Sequence, residues 1–545
     1  MKSEATVLLL LLAAICVLEL AAAETGRSSM PAAGGVKNED LRAQPIGEDW
    51  TSYNGDYSGR RYSRLNQITA ANVQRLRAAW IFHPGNSKML EATPVVVRGI
   101  MYVTSSNDAF ALDARTGRSL WHYQRPVSSG LLDDASAHKS RGVAVWQDSV
   151  YMETDDAHLL CLDARSGGLR WDVEYADKTK HYGATSAPLV VNGMVIVGTS
   201  GGDSGVRGFL EAYDAATGKL KWHLWTIPGP GEFGSSSWPG DSYLYGGATT
   251  WMPGTYDPDL DTLYWTTSNA APDYVGDSRP GDDLYTACVL AIDPNTGKLK
   301  WYFQFTPHDL YDYDANQTPV LVDVDENGAT HRLLVQANRN GYFYVLDRSN
   351  GKFLNATPFV EKLNWAKGVD SSGRPILSGL IPTKQGTRIC PGITGATNWY
   401  SPSYNPDTRL FYVMAMEGCD VYFSSPKPFV RGETYYNTGT KHPPGEQSQK
   451  ILLALSIPEG KIIWRYPQVG RGDSWGGTLA IAGGVVFFGD DADSFEAVDA
   501  ASGRALWHFN TGQGMHASPM TYAVDEVQYV AIACGSDLFA FSLSQ

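Results

Sequence analysis

Short apolar runs broken by turn residues fill this chain, and one punctuated pattern recurs along it. The pattern is apolar-x-Asp-x-x-[Thr/Ser]-Gly-x-x-x-Trp. It reads ALDARTGRSLW at 111–121, CLDARSGGLRW at 161–171, AYDAATGKLKW at 212–222, AIDPNTGKLKW at 291–301 and AVDAASGRALW at 497–507. Worn copies are VLDRSNGKFLN at 345–355 and ALSIPEGKIIW at 454–464. Each element has a physical role. The Asp starts a tight turn by accepting from backbone N–H groups. The Gly takes the left-handed conformation that closes a short hairpin. The Trp opens the next strand and can fill the gap between neighbouring sheets. Upstream of the copies lie strand pairs such as ATPVVVRGIMYVTSS and SAPLVVNGMVIVGTS, giving roughly four strands per repeat. Trp121, Trp171 and Trp222 fall about 50 residues apart, and the wider later spacings imply inserted loops. A period near 50 residues with four strands is that of a propeller blade.

The chain ends complete the count. Trp80, in LRAAWIF, opens a strand without its own preceding turn, and the C-terminal GSDLFAFSLSQ resembles the missing half. Pairing the two in one sheet closes the ring and removes its edges. The expected fold is all-β: an eight-bladed β-propeller of four-stranded blades with Trp-docking repeats, closed by its N- and C-terminal strands. Seven blades is the rival count. One domain spans 46–545, with a loosely ordered lead-in at 24–45.

Composition agrees with this. Charged residues make up 19% and aromatics 12%, with 16 Trp, 56 Gly and 29 Pro, a mix for turn-rich, aromatic-packed β structure. The net charge of −14 argues against a nucleic-acid partner. Residues 1–23 read as a signal peptide for export to the periplasm. Lys2 precedes an apolar run, Val7 to Val17, too short to span a bilayer comfortably, and Ala21 to Ala23 offer small residues for cleavage. Glu4 and Glu19 depart from the usual pattern. Cys16 follows Ile15 rather than a small residue, which argues against a lipid anchor. No later segment is long and apolar enough for a transmembrane helix. Cys161, Cys288 and Cys534 lie in strand-like runs and are expected as free buried thiols. Cys390 and Cys419 lie in loop-rich sequence, where export permits a disulfide. No Cys-x-x-Cys or Cys-x-x-Cys-His occurs, so neither a zinc ribbon nor a c-type haem is expected in this chain.

The segment GEDWTSYNGDYSGRRYS at 47–63 resembles the opening of the PQQ-dependent alcohol dehydrogenases, and the resemblance continues to the C-terminus. It implies pyrroloquinoline quinone (PQQ) and one oxygen-ligated metal ion as cofactors. In TSGGDSGVRGF at 199–209, Gly201 and Gly202 let backbone approach a ligand closely. Asp203 matches a metal-binding carboxylate, although the family usually has Glu there. In GGATTWMPGTYDP at 246–258, Thr249 matches a cofactor contact and Trp251 matches the stacking floor beneath the cofactor; Trp251 lies outside the repeat's own Trp position. In TTSNAAPDYVGDSRPGDD at 266–283, Asn269 matches a metal ligand. In TPHDLYDYDANQTP at 306–319, Asp312 matches the catalytic base and a metal ligand. Asp314 follows it at i+2, so in a strand both carboxylates would face one side. A second Asp here resembles the lanthanide-dependent branch; the alternative is an Asp bonded within its own loop. Calcium and a lanthanide stand about level. In VQANRNGYFYVLDR at 335–348, Arg339 matches the cation at the quinone oxygens.

Supporting positions carry over in the same way. Glu91 matches a carboxylate at the cofactor edge, and Arg141 an arginine fork on a PQQ carboxylate. Thr154 and Ser186 match hydroxyl contacts; Asn398, Trp399 and Trp475 match the far wall. Cys390 and Cys419 match a family disulfide. One departure stands out. Many members carry adjacent cysteines above the ring, whereas RPVSSGLLDDASAHKSRG at 125–142 has none.

The resemblance implies oxidation of an alcohol to an aldehyde or ketone, with PQQ as acceptor, the metal as Lewis acid and Asp312 as general base. A separate soluble cytochrome c is the implied electron acceptor, and a homodimer is compatible with it. Two alternatives stay open: a non-enzymatic propeller serving as a binding or assembly scaffold, and a quinoprotein acting on a polyol, sugar or polymer. The insertions at 227–247 and 421–448 would decide the second.

Overall fold

Each repeat's turn folds as its residues dictate. Asp113 Oδ1 accepts from the backbone N–H groups of Arg115 and Thr116, and Gly117 closes the turn at φ +72° with its N–H on Asp113 O at 2.8 Å. Asp163, Asp293 and Asp499 bind the backbone of their own turns in the same way. The strand that follows pairs back on the one before. Val95–Val97, Ile100–Ser105, Asp108–Asp113 and Ser119–Tyr123 thus form an antiparallel sheet in chain order.

The computed structural model describes residues 35–544 except 87–88, 327 and 471–473. The expected signal peptide at 1–23 lies outside the described residues. The same meander repeats over 144–174, 189–225, 255–304 and 320–358. It returns at 403–467, interrupted between Leu410–Glu417 and Gln449–Ser456 by a small three-stranded sheet that includes Asp420–Ser424 and Thr438–Lys441. The next sheet, over 478–510, departs from the four-strand expectation. Tyr62–Ser63 pairs in parallel with Thr478–Ile481 and makes it five-stranded. In the last, the N-terminal strand Leu76–Phe82 lies antiparallel to the C-terminal Asp537–Leu543, with Leu76 opposite Leu543.

The repeat tryptophans reach the neighbouring sheet's turn. Trp80 Nε1 donates to Ala114 O at 3.1 Å, Trp121 to Ala164 O at 3.0 Å and Trp464 to Ala500 O at 3.1 Å. A Cβ on the turn Gly would strike the indole, at 2.6 Å for Gly117 on Trp80 and 2.5 Å for Gly503 on Trp464. The glycine is therefore needed twice, for φ and for room. Where the worn copy has Asn355 instead of Trp, its amide donates to Pro458 O and Glu459 O in the next turn.

The part of the lead-in that is described, 35–45, is docked rather than loose. Val36 exchanges backbone hydrogen bonds with Gln147, and Trp146 Nε1 donates to Asn38 Oδ1. Val36 and Leu41 are buried. Cys390 and Cys419 form a disulfide, and Cys161, Cys288 and Cys534 are buried thiols. Among the described residues no helix is long and apolar enough to cross a membrane.

One buried acid makes stability pH-dependent. Glu153, 3% exposed, accepts from Tyr175 Oη at 3.0 Å, and burial raises its pKa to about 8. Between the unfolded value and that one the folded state holds the extra proton, so stability falls as pH rises, by at most about 1.4 kcal/mol per unit. Glu153→Gln is expected to raise the unfolding temperature at pH 9 and to change it little at pH 5. An equal shift at both pH values would contradict this.

Candidate functional site

The candidate residues sit in loops at strand ends, where a rigid scaffold can carry chemistry. Glu91, Arg141 and Trp251 each lie shortly before the first strand of a sheet. Asp203 lies in the one-turn 3-10 segment Gly202–Ser204, which joins Met194–Gly198 to Phe209–Asp214. Asn269 follows Thr262–Thr266, and Arg339 lies between Ala329–Ala337 and Tyr342–Asp347. Asp312 and Asp314 lie on an irregular loop, with Asp312 at φ +60°, so strand alternation does not set their directions. They converge because both bind one cation: Arg339 Nη2 donates to Asp312 Oδ2 at 2.9 Å and Nη1 to Asp314 Oδ2 at 3.0 Å.

A cavity of about 260 Å³ gathers part of the set. Glu91, Arg141, Gly201, Gly202, Asp203, Thr249, Trp251, Asn269 and Asp314 line it. Gly201 stands at φ +97°, and a Cβ there would meet His181 O at 2.4 Å. Asn269 links the carboxylates: its backbone N–H donates to Asp314 Oδ1 at 2.7 Å and its Nδ2 to Asp203 Oδ1 at 3.3 Å. The Arg141 guanidinium lies 4.9 Å from the Trp251 ring and 4.5 Å from the Trp399 ring, and pairs with Glu91 at 2.7 Å. Asp312, Arg339 and Trp399 are not part of this lining, and Thr154, Ser186, Asn398 and Trp475 also stand outside it. Their groups are used locally: Thr154 Oγ1 on Asp156, Ser186 Oγ on Ala187 O, Asn398 Nδ2 on Thr394 O, and the Trp475 ring under Lys450 Nζ at 5.8 Å.

Six lining residues escaped the sequence reading: Ser136, Ala137, Lys139, Thr185, Ser200 and Ser268. Ser136, Ala137 and Lys139 line the cavity from the very stretch that lacks the paired cysteines. Lys139 Nζ lies 3.3 Å from Glu91 Oε1, which sets a second cation beside Arg141. Asp273, 1% exposed, offers an oxygen within 4.8 Å of those of Asp203 and Asp312. It follows Asn269 by four residues, and in sequence it is an ordinary loop Asp after Ala271-Pro272.

Electrostatics divides the site. Burial pushes the Asp312 carboxyl well above the usual range; Arg339 opposes this, and the Asp314 and Asp203 carboxylates add to it. Asp314 is raised by burial against the pull of Arg339. Asp273 is raised well above its usual value by burial and by Asp203 and Asp312. Asp309 behind them, bound by the N–H groups of Tyr311 and Tyr313, is raised by burial to about 6. Crowded carboxylates that resist ionisation call for a cation. All-oxygen donors suit a hard ion, and a flat indole with two cations beside it suits a planar, acidic cofactor. The residues present therefore fit a hard metal ion and PQQ.

Known proteins similar to this chain agree with that fit. The profile described as "Glucose/ethanol/alcohol dehydrogenase, beta-propeller domain", a PQQ family, matches residues 50–364 and 461–530. Quinohemoprotein alcohol dehydrogenase ADH IIB of Pseudomonas putida is 40% identical over 526 residues, 92% of this chain and 76% of that one. The lanthanide-dependent methanol dehydrogenase of Methylacidiphilum fumariolicum is 35% identical over 92% of this chain and 87% of its own length. The solved structure of quinohemoprotein alcohol dehydrogenase ADHIIG from Pseudomonas putida HK5 superposes with a TM-score of 0.88 at 32% identity, covering 94% of this chain and 83% of that one. With an all-β fold, a propeller profile over most of its length and relatives matched over nine tenths of it, this chain belongs to the PQQ-dependent alcohol dehydrogenase family of quinoproteins.

Proposed function

We propose that the protein oxidises an alcohol to an aldehyde or ketone at the cavity between Trp251, Arg141 and the Asp203–Asp312 carboxylates. In this reading it is an exported, periplasmic enzyme, and its sheets form an eight-bladed ring with docked tryptophans. The observation that carries the reading is the convergence of Asp203, Asn269, Asp312, Asp314 and Arg339, from four separate loops, beside Trp251.

When bound, PQQ supplies the two-electron acceptor and the cation supplies Lewis acidity. Asp203, Asn269 and Asp312 would hold the cation, with Asp314 beside them. The Asn269 side-chain amide reaches Asp203, and turned over it presents its oxygen there. Arg141 and Lys139 would hold acidic groups of the cofactor over Trp251, and Gly201 and Gly202 let backbone come close. Asp312 takes the hydroxyl proton of the alcohol as general base. Arg339 fixes that carboxylate through one oxygen and would stabilise negative charge gathering on the acceptor. Ser136 and Ala137 would cover the cavity where relatives carry paired cysteines. Electrons then leave to a separate soluble cytochrome c.

The two insertions meet at this site. Phe429 stacks on Tyr245 at 4.3 Å, and Tyr435 N–H donates to Asp203 O at 2.6 Å. They would set which alcohols enter, whether a small one or a polyol, sugar or polymer. A scaffold role leaves the buried carboxylates and their cation unexplained.

Reconstitution tests the reading. Protein given PQQ with Ca²⁺ or La³⁺ should show bound-quinone absorbance and reduce a dye only when an alcohol is added. A protein that binds no quinone under either condition would overturn it. Arg141→Ala is expected to weaken PQQ binding about 10- to 100-fold, the worth of a charged hydrogen-bonding fork. An unchanged quinone titration would remove Arg141 from that role.

A further inference from the structure

We propose that Asp273 is a further ligand of the cation, and that it turns the site's preference towards a trivalent ion over calcium. This rests on the metal-assisted reading above and assigns one more residue to it.

Three observations carry the assignment. Asp273 is buried at 1% exposure, and neither of its carboxylate oxygens has a hydrogen-bond partner. One of those oxygens lies within 4.8 Å of the oxygens of Asp203 and Asp312, so the side chain is aimed into the cluster. Its backbone is held on both sides: Ala271 N–H donates to Gly246 O at 2.9 Å and Tyr274 N–H to Tyr436 O at 3.2 Å. An anchored, buried carboxylate with both oxygens unsatisfied is costly unless a cation meets it.

The nearby arginines do not meet that need. Arg279 is bound to Asp283 and to the carbonyls of Pro272 and Asp309. Arg339 is divided between Asp312 and Asp314. Asp314 has each oxygen bonded already, one to Asn269 N–H and one to Arg339. Four carboxylates thus face one guanidinium, which leaves about three negative charges for the ion to balance. Attraction to each added carboxylate scales with the charge of the ion, so Asp273 favours a trivalent ion over a divalent one by a ratio of about three to two in Coulomb energy.

The test uses the whole chain, freed of metal and then loaded with PQQ. Tb³⁺ is titrated by its sensitised luminescence, and Ca²⁺ by competition against it. Luminescence lifetimes in H₂O and D₂O give the number of coordinated waters. Asp273→Asn is close in shape, and Asp273→Ser serves as a second variant should the first not fold. The expected result is at least about a tenfold loss of Tb³⁺ affinity, a smaller loss for Ca²⁺, and additional coordinated water on Tb³⁺. Unchanged affinities and hydration would overturn the assignment. An equal loss for both ions would overturn the trivalent preference. A parent protein that binds Tb³⁺ in neither the PQQ-loaded nor the quinone-free form would bring down the metal reading itself, a result distinct from loss of the Asp273 role alone.

Discussion

Replacing Asp312 by Ala lowers kcat by about 10²- to 10⁴-fold, the range that positioned general bases contribute, while the protein still takes up PQQ. Removing the carboxylate leaves the Arg141, Lys139 and Trp251 side of the cavity intact. Quinone binding is therefore spared, and the loss falls on proton removal. Asp312 also lies in the cation cluster, so the comparison is made at saturating metal. Asp312→Asn keeps a ligand oxygen without the base and should lose a similar factor. Steady-state dye reduction, with bound quinone read by absorbance, checks both. Full turnover in either variant would remove the base assignment.

Removal of Arg339 should be felt first in stability. The side chain is buried, and its two ion pairs, at 2.9 and 3.0 Å, hold Asp312 and Asp314. Burial alone would lower the pKa of the guanidinium, but the two carboxylates outweigh it and raise that pKa. Arg339→Ala leaves both acids buried without their cation, and breaking such a set costs about 3–5 kcal/mol. A metal ion in the same cluster can take over part of the lost charge. Unfolding of the metal-free variant should therefore come well below that of the parent, and added La³⁺ should raise the variant's midpoint more than the parent's. Equal midpoints without metal would show that Arg339 does not hold the acids together.

The repeat was legible because each copy encodes the same local physics. An Asp turn, a left-handed Gly and a Trp recur, and the structure answers with bonds such as Asp113 to Thr116 N–H and Trp80 to Ala114 O. The pairing of Leu76–Phe82 with Asp537–Leu543 was legible for a related reason, since each end carries half of a pattern. Single residues were harder. Tyr62–Ser63 is too short to announce a fifth strand, and Val36 and Leu41 give no period by which to foresee their docking. Asp312 and Asp314 do converge, but through Arg339 on an irregular loop rather than through strand alternation. Asp273 shows no mark in sequence. Only burial, with two unsatisfied oxygens beside Asp203 and Asp312, sets it apart. Thr154 and Ser186 show the reverse case, in which a matched position spends its hydroxyl on its own neighbourhood.

Anomalous diffraction from crystals of the protein loaded with PQQ and a lanthanide tests the centre of the account. The account predicts one strong peak per chain, at about 2.3–2.6 Å from oxygens of Asp203, Asn269 and Asp312, next to a planar cofactor lying on Trp251. A lanthanide bound elsewhere, or those three side chains too far apart to share it, would contradict the account.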